Sequence, residues 1–198
     1  MTRPTERKLL QFSELAESAL TSLATEFGMV VAKSTPTLVR LEGPAVFVNF
    51  FHGRSSYEVG IEVGRRGHAE ELTRPYDLAE VMAVTDADAA RRYRRPQASD
   101  LDSLRSVVQR AVEQLVAYGR NALAGDPTFF DVLREVRLER AADSGRRLRH
   151  ASARARAEEA WHLKDHRGVV AALEQLGDAI TAAEAKKYAY SKKQLSGI

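Results

Sequence analysis

Apolar positions change period along the chain, and each change marks a change of element. From residue 5 to 27, Phe12, Ala16, Ala19, Leu20, Leu23 and Phe27 recur at three- and four-residue steps, the spacing that lines one face of an α-helix. Gly28 is a natural stop for that helix. A two-residue period follows. Thr37, Val39 and Leu41 alternate with Leu38, Arg40 and Glu42, and Tyr57, Val59, Ile61 and Val63 alternate with Glu58, Gly60 and Glu62, which predicts two half-buried strands. Residues 45–51 are apolar on both faces except for Asn49, as in a central strand covered on each side. Glu42-Gly43-Pro44 and His52-Gly53-Arg54-Ser55 supply the turns. With 29–32 as a shorter first strand, the pattern describes a helix followed by an antiparallel meander of three or four strands.

After Gly67 the strand signal ends. Residues 76–84 read as a short helix, and 85–99, with Asp86, Asp88, four arginines and Pro96, read as a surface connection. Ser99-Asp100-Leu101-Asp102 resembles a capping box. It precedes Leu101, Leu104, Val108, Ala111, Leu115, Tyr118 and Ala122 at steps of three and four, the clearest helix in the chain. That helix ends near Gly125, and Asp126-Pro127 opens another with Phe129, Phe130, Leu133 and Val136 on its apolar face. Residues 141–156 are mostly Ala and Arg, with Gly145 the breaker, a pattern that fits one helix or a bent one. Val169, Leu173 and Leu176 mark a short helix, and Thr181 and Glu184 cap the last one.

The fold class predicted is α+β: an N-terminal helix with its antiparallel sheet in 1–85, then an all-helical region in 99–198 packed on that sheet as one globular unit. The junction falls at 85–99. Val46, Val48, Phe50, Val59, Ile61, Leu104, Leu115, Phe129 and Trp161 occupy the apolar phase of their elements and are expected to be buried.

Composition narrows the chemistry. The chain has 198 residues, 44% of them hydrophobic and 29% charged, and no cysteine. Disorder is set aside, as are disulfides, thiolate catalysis and cysteine-ligated metals. Residues 1–10 carry Arg3, Glu6, Arg7 and Lys8 without an apolar run, and no stretch approaches the roughly 20 apolar residues of a membrane span. A cytoplasmic protein without membrane partners is therefore expected. The net charge is +3, and 23 of the 30 basic residues are arginine.

His162 and His166 stand four apart with Asp165 beside them, a spacing that could turn two imidazoles toward one metal. Leu163 replaces the Glu that a metalloprotease helix carries after its first His, and a third ligand is not evident, so no metal is assigned. Asp86 and Asp88 lack the remainder of a calcium loop. Gly60, Gly64 and Gly67 match neither a dinucleotide fingerprint nor a phosphate loop, and are read as shaping a sheet edge and its exit turn. His52, Ser55 and Ser56 lack the flanking glycines of a nucleophile elbow. No catalytic residue and no cofactor is assigned.

Two arginine groups remain. Arg91, Arg92, Tyr93, Arg94 and Arg95 form one, with an aromatic ring between cation pairs. The second lies within 134–156, where eight arginines face Glu135, Glu139 and Asp143. Its candidate contacts are Arg146, Arg147, Arg149, Arg154 and Arg156. Such groups neutralise phosphates, and a tyrosine can stack on a base. Arginine is also a good helix former that covers solvated faces.

Within 157–193, the runs Glu-Glu-Ala-Trp, Lys-Asp-His, Val-Val, Leu-Glu-Gln-Leu and Thr-Ala-Ala-Glu-Ala-Lys-Lys resemble the helical C-terminal ends of small uncharacterised bacterial proteins, some of them thought to be immunity proteins of polymorphic toxin systems. The resemblance covers about a fifth of the chain. It implies a non-enzymatic protein that blocks another protein by surface complementarity, and it carries over no catalytic residue. Many immunity proteins are acidic, whereas this chain is mildly basic, which argues against a basic nuclease as the partner. The expected function is a non-catalytic bacterial protein-interaction module. The alternative is a nucleic-acid-binding regulator, and a homo-oligomer is a third kind of association left open.

Overall fold

A computed structural model describes residues 11–53 and 56–197. The N-terminal helix α1 runs Phe12–Glu26 and buries Phe12, Ala16, Leu20 and Leu23, the residues that its period selects; positions 5–10 of the expected helix lie outside the described residues. Gly28 takes a φ of 61° and turns the chain into the sheet. The strands are β1 (Val30–Thr35), β2 (Leu38–Glu42), β3 (Val46–His52), β4 (Val59–Arg65) and β5 (Tyr76–Asp77), antiparallel neighbours in chain order. Three or four strands were expected. The fifth takes two residues from the stretch read as a helix, pairing Asp77 with Glu62 and Tyr76 with Val63.

After β4 come α2 (Ala69–Thr73), then α3 (Leu78–Thr85) beyond β5, and α4 (Ala87–Arg92). Helix α3 opens with a complete capping box, Asp77 with Glu80. Helix α4 corrects the reading of 85–99 as a plain connection: the Asp86 carboxylate accepts from the Ala89 amide, so the aspartate read as turn-forming starts a helix. The long helix α5 spans Leu101–Leu123, and its cap is Asp100 rather than Ser99, accepting from the Ser103 amide at 2.9 Å. Gly119 leaves helical geometry inside α5, where the freed Tyr118 carbonyl accepts from Thr85. Helix α6 is Pro127–His162, so 141–156 is helical throughout. Helices α7 (His166–Glu174) and α8 (Ala182–Leu195) complete the chain, α8 with the expected Thr181–Glu184 capping box.

The chain divides into two compact units, one ending at Arg137 and one beginning at Leu138. Residues 85–99, read as the junction, therefore lie inside the first unit. Its core joins α1, one face of the sheet, α3, α5 and the start of α6. Val46, Val48, Phe50, Val59, Ile61, Leu104, Leu115 and Phe129 are all buried in it, as their periodic phase requires. The second unit has a small core of Ala153, Ala157, Ala160, Val169, Ala172, Leu173 and Leu176. Trp161 is an exception to the burial expected of it: it is only partly buried, packing beside that core and edge-on to the Tyr190 ring at 5.6 Å. None of the helices is long and apolar enough to cross a membrane, among the described residues.

Candidate functional site

Register places one row of polar side chains across the full width of the sheet. Lys33 pairs with Arg40, Arg40 with Asn49, Asn49 with Glu62 and Glu62 with Asp77. Because successive side chains alternate faces, these five share one face, opposite the core-facing Val39, Leu41, Val48, Phe50 and Ile61. The row runs from Lys33 on β1 and Arg40 on β2 through the Asn49 amide on β3 to Glu62 on β4 and Asp77 on β5.

Two aromatic–glycine pairs flank the row. Phe47 stands opposite Gly64, and Phe51 opposite Gly60. Each ring lies over its glycine so closely that a Cβ there would sit 2.6 Å from the Phe47 ring or 2.3 Å from the Phe51 ring. Gly60 and Gly64 therefore lie within β4, near its two ends, where they admit rings; of the three, Gly67, with a φ of 79°, makes the exit turn. Phe47 is fully buried yet stands outside the main core, held between Gly64 and the Arg40 guanidinium 4.0 Å from its centroid. Since Phe47 has no room to swing away, and the Glu71 carbonyl also approaches that Cβ position at 3.3 Å, Gly64→Ala is expected to cost about 1–3 kcal/mol. A urea midpoint equal to that of the parent would contradict this packing.

The carboxylate side of the row has its own electrostatics. Burial pushes the Glu62 carboxyl above its ordinary value; the Asn49 hydrogen bond and Arg95 oppose the rise, and Asp77 and Glu80 add to it. A carboxyl that binds its proton more tightly in the folded state contributes stability below its unfolded pKa, and that contribution is lost as pH rises through the folded pKa. Glu62→Gln is therefore expected to favour the folded state more at about pH 7 than at about pH 4, read from denaturant midpoints at both values. An equal effect at both would remove Glu62 from the pH dependence. Asn49 Oδ1 is buried and accepts no hydrogen bond among the described residues. A cleft of about 380 Å³ opens beside the row, lined by Thr37, Leu38, Phe51, His52, Gly53 and Glu62.

The first arginine group meets this face through one member. Arg95 reaches Asp77 at 3.3 Å and Glu58 at 3.8 Å, and lies 5.4 Å from the Phe51 ring centroid. Arg94 folds back on the carbonyls of Arg91 and Tyr93, and Arg91 pairs with Asp88. Tyr93 packs partly buried against the main core, and burial raises its phenol pKa. Arg92 is exposed at the end of α4.

In the second group, Arg137 is buried in the first unit. Arg154 is tied to Glu184 and the Ala179 carbonyl, each at 2.8 Å, and Arg156 to Gln175 at 2.6 Å, all within the second unit. Arg146 pairs with Asp143 and Arg147 bonds Ser144, while Arg149 is exposed. At about 100° per residue the five candidates spread over roughly half the circumference of α6 rather than one narrow face. His162 ends α6 and pairs with Glu158, whereas His166 opens α7 and meets the Trp161 and Tyr190 rings. Their spacing thus spans a turn, with Lys164 at a φ of 56°, so no single helix aligns them. No cluster of three His, Asp or Glu side chains could hold a metal ion among the described residues. His52 is buried and donates from Nε2 to the Ala98 carbonyl at 2.9 Å, stacked on Phe12; Ser55 lies outside the described residues.

The polar row and its aromatic flanks were missed in the sequence. Their signal was present as Phe47 and Phe51 four apart on one strand, facing Gly60 and Gly64 four apart on the next. Comparison with family models, curated proteins and solved structures finds no match.

Proposed function

We propose that this chain is a non-catalytic protein-interaction module of immunity-like type, which binds another protein through the outer face of its sheet and acts by occupying it. The observation that carries the reading is the row from Lys33 to Asp77 with the partly exposed Phe51 beside it. Arginine and aromatic side chains dominate binding energy at protein interfaces. Arg40 is paired with Glu42 and Asp77 with Arg95, which leaves Lys33 and Glu62 as the charges of the row without an ion pair among the described residues, and their separation across the face selects the orientation of a partner. The C-terminal likeness to immunity proteins points the same way.

The test is purification of the tagged full chain from its native cell after nuclease treatment, beside an Arg40→Glu/Phe51→Ala variant. One stoichiometric protein is expected with the parent, and at least about tenfold less with the variant. Equal recovery by both, or no protein and instead turnover of a metabolite, would overturn the reading.

A second reading, nucleic-acid binding, rests on the exposed Arg140, Arg146, Arg147 and Arg149 of α6. It requires log affinity to fall with log salt at roughly 0.7–0.9 per phosphate neutralised, and Arg147→Glu/Arg149→Glu to abolish retention while changing stability by about 0.5 kcal/mol or less. Weak retention that vanishes near physiological salt is expected, because Glu135, Glu139 and Asp143 interrupt the basic run. Salt-resistant, sequence-selective binding would put this reading first.

A further inference from the structure

The two edges of the sheet are built differently. At one side β5 is only two residues long and leads straight into the Asp77–Glu80 capping box, a short edge that offers little to pair with. At the other, β1 extends for six residues and, among the described residues, its ladder bonds go to β2 alone. Residues 30–34 are exposed, with Val30 at 67% and Val31 at 47%. Two exposed β-branched residues on a long open edge are what an added strand covers.

The register defines what that strand must carry. Val31 pairs with the core-facing Leu41 and Ser34 with Val39, so both point to the α1 side, where Ser34 donates to Glu17. The irregularity between Val31 and Lys33 returns Lys33 to the outer face opposite Arg40. Lys33 is thus the cationic end of the polar row, and it stands at the open edge.

We propose that β1 receives an extended segment of the partner protein as a sixth strand, with an acidic side chain opposite Lys33 and β-branched residues against Val30 and Val31. This rests on the protein-interaction reading and names the chemistry of the segment that the partner presents. An acidic residue there continues the row with opposite charge, which directly facing strand positions favour. A second copy of this chain fits less well in the antiparallel register that sets Lys33 opposite its own counterpart, where like charges face each other directly and repel.

Fluorescence anisotropy of the full chain tests this with two capped probes of about seven residues, alternating Thr and Val around a central Glu or a central Lys. The Glu-centred probe is expected to bind saturably and at least about tenfold tighter than the Lys-centred one. Lys33→Glu should invert that preference, and Val31→Lys should weaken both probes about tenfold with an unchanged thermal midpoint. Failure of both probes to bind, equal affinity for the two, or self-association abolished by Val31→Lys would overturn the proposal. A native partner lost with Arg40→Glu/Phe51→Ala but retained by Val31→Lys would leave the interaction reading standing and remove the edge strand from it.

Discussion

Arg137→Ala is expected to destabilise the first unit by about 3–5 kcal/mol, the cost of stranding a buried charge, read from urea or thermal unfolding. Arg137 is 8% exposed. Its Nε donates to Glu80 Oε1 at 2.6 Å and its Nη2 to Glu80 Oε2 at 2.5 Å. Nη1 donates to the Arg74 carbonyl at 2.7 Å and Nη2 to the Pro75 carbonyl at 2.9 Å, while the guanidinium carbon lies 3.9 Å from the Tyr76 ring centroid. Burial works against the guanidinium charge, and the Glu80 hydrogen bonds together with the charge interactions with Glu80, Tyr76 and Asp77 outweigh it, raising the Arg137 pKa. The same Glu80 accepts from the Asp77 amide at the start of α3. One arginine of α6 thus holds β5 and α3 together, and its loss leaves a carboxylate and two carbonyls without their donor. Arg137→Met/Glu80→Gln keeps the cap and removes the stranded charge, so it should cost less than Arg137→Met alone. Strict additivity of the two substitutions would show that the pair does not act as a unit.

Phe50→Ala should cost about 3–5 kcal/mol, because the ring is fully enclosed and leaves a cavity that the sheet cannot close. Phe50 sits on β3 between Val39 and Ile61 and meets Phe12 of α1 edge-on at 5.6 Å, so it joins the helix to the sheet. Phe51→Ala, one residue along and on the opposite face, should cost much less, since that ring is only partly buried over Gly60. The contrast tests the register directly: a one-residue slip would exchange the two effects.

Local periodicity sufficed for α1, for β2 to β4, for α5 and for the apolar residues that fill the main core, because a helix or a half-buried strand repeats its pattern within a single stretch of chain. The caps at Asp77 and Thr181 show the division of labour. The Thr181–Glu184 box is legible from four adjacent residues, whereas Asp77 is at once a helix cap and an edge-strand residue, and the strand exists only through its pairing with Glu62 and Val63. Helix α4 was hidden because four arginines and a proline outweighed one aspartate cap. Trp161 followed its helical phase correctly, but the second unit has too small a core to enclose so large a ring. The candidate face lay further out of reach. Lys33, Arg40, Asn49, Glu62 and Asp77 are separated by up to 15 positions between neighbours, and only strand register sets them side by side. Register likewise puts Phe47 and Phe51 over glycines that in the linear chain look like turn residues. The eight arginines of 134–156 are equivalent as charges; which one is buried, which are tied within the second unit and which stay exposed follows from the partners that the tertiary fold brings within bonding distance.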